Sequence, residues 1–150
     1  MENRIVHYNK ELAATSSLFF VPLYVLHTNN RYVPLILQDI IILQGVVSMV
    51  FWWSPVKGSS IHKIDKVLAR ISISSIIGYK MIVNPTALFI MNVIIMFMFF
   101  KLSNHYSRQL WCSKSHIINH GLAHLFAYNA IYFAFSDTYK VLPKQNIFAT

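Results

Sequence analysis

The stretch Pro85–Phe100, PTALFIMNVIIMFMFF, runs without a single charged side chain, and it is one of several such blocks in this chain. No other feature constrains the fold as much. A long uncharged apolar run ends in a buried core or in lipid. A chain of 150 residues has room for one modest core, too small to hide several runs of this kind. Composition agrees: 55% of the residues are apolar and 12% are charged, against roughly 25% charged in soluble domains. The expected fold class is therefore all-α, a polytopic membrane helix bundle of about five transmembrane helices, with residues 1–150 as a single integral membrane domain.

The blocks predict spans near 12–28, 33–53, 61–83, 85–101 and 115–136. A helix rises about 1.5 Å per residue, so about 20 residues cross a hydrocarbon core of about 30 Å. The second, third and fifth blocks are long enough. The first, interrupted by Pro22, and the fourth are short and must borrow flanking residues or thin the bilayer. Four spans is the fallback. The first block is read as an uncleaved helix rather than a signal peptide, because acidic residues stand in the preceding tail and no small-residue cleavage site follows.

The third block carries two stripes. Lys63, Lys66 and Arg70 form a basic one. His62, Asp65, Ala69 and Ser72 form another, turned about 100° from it. A spanning helix would snorkel the first stripe to the headgroups and aim the second into the bundle. A helix lying on the membrane surface is the alternative.

Lys and Arg total 13 against 5 Asp and Glu, a net charge of +8. The cations flank apolar blocks, where they meet lipid phosphates, so the expected partner is the lipid bilayer and not nucleic acid. With five spans, eight Lys and Arg fall on the side of the N-terminal tail and four on the other. That places the N-terminus in the cytoplasm. The lone Cys112 excludes an internal disulfide.

Ionisable groups inside a span need a reason to be there. His116, His120 and His124 recur at i, i+4 and i+8, so they stack on one helix face. Two histidines one turn apart can aim at a shared point about 2 Å from each, as Zn²⁺ requires. The up-and-down order of the spans brings Ser48, then His62 with Asp65, then His116 with His120 to one depth. In this reading Zn²⁺ is the cofactor, held by His62, His116 and His120, with His124 as the alternative ligand. Asp65 orients or deprotonates the water, and Ser48 assists. Asp39 is expected to pair with an amide or hydroxyl. His27 and His105 are expected at the interface, and Trp52, Trp53 and Trp111 in a headgroup-level belt.

The run Gly45-Val-Val-Ser48-Met-Val-Phe-Trp52, then Asp65, then His116-x-x-x-His120 resembles the alkaline ceramidase and adiponectin-receptor superfamily of membrane hydrolases. The resemblance implies a zinc site of three histidines, with Ser and Asp positioning the water that hydrolyses a lipid amide. Two departures stand out: Trp52 occupies the place of the family's first histidine, and five spans replace seven. His62, one turn before Asp65, is our own candidate for the missing ligand. The sequence thus leaves three functions open: a zinc-dependent lipid amide hydrolase, a non-catalytic membrane scaffold, and a small oligomeric channel lined by the histidines.

Overall fold

The computed structural model describes residues 10–29 and 31–136, and these form helices with no strand among them. There are six: α1 (Lys10–Ser17), α2 (Phe20–Thr28), α3 (Leu35–Trp53), α4 (Ser60–Val83), α5 (Ala87–Gln109) and α6 (Lys114–Phe135). Each of the last three begins on a hydroxyl cap. Ser59, Thr86 and Ser113 accept the backbone N–H of His62, Phe89 and His116, meeting donors that a helix start leaves without partners.

One expected rod is broken. The block 12–28 is two helices, α1 and α2, joined through Leu18 and Phe19. Pro22 has no N–H to give the Leu18 carbonyl, and its ring crowds that group. The chain instead makes short i→i−3 bonds there, from Leu18 to Thr15 and from Val21 to Leu18. The bend lets Phe19 turn inward to the core. Gly45 of α3 makes room beside it, since a Cβ there would stand 2.9 Å from the Phe20 ring.

Helices α3 and α4 form one antiparallel hairpin, and α5 and α6 form another. Their turns lie together at one end. Trp111 Nε1 donates to the Pro55 carbonyl at 3.1 Å, and Lys57 Nζ donates to the Ser107 carbonyl at 3.0 Å. α6 is the central element and packs on α1, α2, α4 and α5. Its buried face is largely small, with Ala123, Ala127, Ala130 and Ala134, which allows neighbouring backbones close approach. α1 bridges α3 and α6. On the other side, consecutive helices α4 and α5 make no extended contact. The bundle is therefore a closed wall on one flank and parted on the other.

Two helices, α3 and α5, are long and apolar enough to cross a membrane. Their outer faces expose Ile42, Val46, Val50, Ile90, Ile94 and Met98. On α4 the two stripes separate as the spacing predicts: Lys63, Lys66 and Arg70 are exposed, while His62, Asp65 and Ser72 are buried. The tail residues in the orientation count, 1–9 and 137–150, lie outside the described residues.

A candidate amphiphile cleft

Between the two hairpins lies a cleft of about 710 Å³, within the roughly 300–1,000 Å³ common for ligand sites. Its two ends differ. Towards the far ends of α4 and α6 the walls are apolar, with Ile73, Ile76, Phe89, Val93, Met96 and Ile131. At the turn end the walls are polar and aromatic. Ser48, His62, Asp65, His116, His120 and His124 all line this one cavity. The structure brings together every residue the spacing singled out.

The two outermost histidines are held by the same local device. Ser59 and Ser113 cap α4 and α6, and the histidine three residues on, His62 or His116, folds back over the turn. Its Nδ1 accepts the backbone N–H of the residue before the cap: Gly58 at 2.8 Å for His62, Cys112 at 3.1 Å for His116. This is a variant of the capping box, with imidazole in place of the usual carboxylate or amide and the N–H supplied by the residue before the cap. The preceding residue needs a positive φ to present its N–H, 82° at Gly58 and 57° at Cys112. The chain thus writes x-Ser-x-x-His twice, at 58–62 and 112–116, where no repeat is evident from the wider sequence.

The device fixes the protonation of the rings. A backbone N–H can only donate, so Nδ1 of His62 and of His116 is a bare acceptor. In a neutral imidazole the proton then sits on Nε2. His124 is held in the opposite sense. Thr15 Oγ1 donates to the Leu12 carbonyl at 3.0 Å, so the 3.0 Å contact from Thr15 to His124 Nδ1 takes its hydrogen from the ring. His124 therefore keeps a lone pair on Nε2. His120 Nδ1 lies 3.0 Å from Ser103 Oγ.

These tautomers bear on zinc. A metal-bound histidine ordinarily donates its second N–H outward, whereas His62 and His116 do the reverse and turn an N–H towards the cleft. The donor set of His62, His116 and His120 does not fit a zinc ion in this arrangement. Among the described residues no group of three His, Cys, Asp or Glu converges on one point.

Aromatic rings fill the space between the histidines. Phe51 stacks on His62, centroids 4.8 Å apart and planes at 2°. Trp111 lies 5.3 Å from His62 and 4.8 Å from His116, and Trp52 lies 4.6 Å from His120. Trp52 is therefore not a belt residue, whereas Trp111 is half-buried in the α5–α6 turn. The last turn of α3 points Trp52 under the α5–α6 turn, where it is 1% exposed. Trp53, on the opposite face, is exposed as expected. Asp39 is exposed and does not make the expected pairing, because it lies on the outer face of α3. His27 and His105 are exposed.

Asp65 is 7% exposed. Gln44 Nε2 donates to its Oδ1 at 3.0 Å. Ser48 stands between this carboxyl and Ser16, whose hydroxyl is 3.1 Å away. Among the described residues, the buried lining atoms Gln44 Oε1, Trp52 Nε1 and Ser72 Oγ meet no partner. The spacing argument missed Gln44 and Ser16; a Gln one turn before Ser48 on the same face of α3 was the available signal.

No protein-family model, curated protein or solved structure matches this chain.

Proposed function

We propose that this chain is an integral membrane protein that takes an amphiphilic lipid sideways from the bilayer and holds its polar end beneath the two capped turns. The observation that carries this reading is the parting of α4 from α5 beside a cleft that is polar at one end and apolar along the rest. A gap between helices on a lipid-facing flank admits chains without drawing the headgroup through hydrocarbon. The proposed topology has five crossings, the first made by α1 and α2 together. The turn end collects Lys57, Lys63, Lys66, Lys101, Arg108 and Lys114, a bias that supports a cytoplasmic side for it.

Indole fluorescence tests the reading. In a Trp53→Phe background the remaining indoles, Trp52 and Trp111, both face the cleft. Lipids brominated on their acyl chains should quench them, and Ala69→Phe, which fills the cleft from α4, should relieve the quenching. Quenching absent from the background, or unchanged by Ala69→Phe, removes the proposal.

A second reading, zinc-dependent hydrolysis of a lipid amide, is favoured by the gathering of Ser48, His62, Asp65 and the three α6 histidines around one cavity. It requires His62 and His116 to leave their turns. About one equivalent of zinc in the purified protein, lost in His120→Ala, would establish it. Lipid without metal leaves the binding reading alone.

A further inference from the structure

The polar end of the cleft is strongly biased towards hydrogen-bond donors. His62 and His116 each offer an Nε2–H that meets no acceptor among the described residues, following from the bonds at their Nδ1 atoms. The Trp52 indole N–H, on a residue 99% buried, is likewise without an acceptor. Lys66 and Arg70 on α4 and Lys101 and Arg108 on α5 line the two rims. Lys66 lies close enough to Asp65 to act on its charge, while Arg70, Lys101 and Arg108 make no hydrogen bond among the described residues. α4 and α6 begin at this end while α3 and α5 finish there, so the helix dipoles largely cancel and the bias rests on the side chains. On the acceptor side stand Asp65, one oxygen of which takes the Gln44 amide, the Oε1 of that amide, and the Nε2 lone pair of His124. Donors and cations outnumber acceptors, and the cations belong to the two helices, α4 and α5, that leave the gap open. Like charges on two rims repel, and an oxyanion between them would attract both.

We infer that the cleft selects a lipid with a phosphate headgroup: the phosphate oxygens accept from the two imidazoles and the Trp52 indole between the cationic rims, and the acyl chain lies along Ile73, Ile76, Val93 and Met96. The inference rests on the lipid-binding reading above and adds the identity of the polar group. Phosphate suits the site because its several oxygens accept from donors converging in different directions. A neutral glyceride would leave the N–H groups and the rims unmatched.

The test measures binding to the full chain in detergent, by the same Trp53→Phe fluorescence, with three probes. These are brominated phosphatidic acid, diacylglycerol with the same brominated chains, and inorganic phosphate as a competitor. Phosphatidic acid should bind at least tenfold more tightly than diacylglycerol. Arg70→Gln combined with Lys101→Gln should reduce that ratio at least fivefold, chiefly by weakening phosphatidic acid binding. Lys63→Gln, an exposed cation on α4 that does not line the cleft, should leave the ratio as it is. Equal binding of the two lipids overturns the inference and spares the cleft. A phosphatidic acid preference that Lys63→Gln lowers as much as the double variant assigns it to general surface charge, and overturns the inference. Inorganic phosphate competing at the lipid's own concentration shows a free-anion site and overturns it also. Binding of neither lipid overturns this inference together with the reading it rests on.

Discussion

The turns at 58–62 and 112–116 place a histidine in the same way and differ in the residue that bears the positive φ. Gly58 adopts it at no steric expense. Cys112 adopts it against the clash of its Cβ, a strain of about 1–2 kcal/mol. The two also differ in surroundings. Gly58 is exposed, so its N–H can reach water if the imidazole is lost. Cys112 is half-buried beneath the partly covered Trp111. A shared backbone geometry can thus be reached with a compatible residue or forced on an incompatible one. The forced case shows how much the surrounding packing contributes.

The sharpest break in the comparison comes from removing each imidazole. His116→Ala removes the imidazole that accepts the Cys112 N–H under cover and opens space against Trp52 and Trp111. The expected loss is about 3 kcal/mol. His62→Ala should cost about 1 kcal/mol less, because water replaces the ring at Gly58. Denaturation of the two variants in one detergent gives the order, and an equal or reversed order contradicts the stated difference in cover. Next in size is Gly58→Val, which forces a β-branched residue into the left-handed region and should lower stability by about 2 kcal/mol. A melting temperature unchanged by this substitution would mean the first turn does not hold the positive φ. The smallest effect has the opposite sign. Cys112→Gly should relieve the strain, offset in part by the greater freedom of glycine in the unfolded chain, for a net gain of about 0.5 kcal/mol. A clear loss of stability would assign the thiol a packing role that outweighs its backbone strain.

The all-helical class, α3 to α6 and the two faces of α4 were legible because each rests on periodicity over many turns. His62 and Asp65 sit one turn apart on a face otherwise lined by Ala69 and Ser72, and that face is the inner one. The gathering of Ser48, His62, Asp65 and His116 was legible for a related reason: antiparallel hairpins with short turns must return to the same depth. Finer features were not. The break at Leu18 depended on what the Leu18 carbonyl does when Pro22 offers it no hydrogen. The burial of Trp52 and the exposure of Asp39 depended on the rotation of α3 about its axis, which an almost uniformly apolar helix does not announce. Ring protonation was hidden most deeply. It follows from which atom meets Nδ1, and the spacing of His116, His120 and His124 says nothing about that. The spacing that suggests ligands for a metal also suits hydrogen-bond donors, and the capped turns favour the second use.

The placement of α6 has a consequence for the order in which this architecture can assemble. It is the last helix of the six to be synthesised, yet α1, α2, α4 and α5 all rest on it. Until it arrives, α1 has only α3 as a partner, and α5 has no neighbour of comparable extent. α1, α3 and α4 can pack on one another before it arrives, whereas α5 and the closing of the cleft wait for α6 to dock.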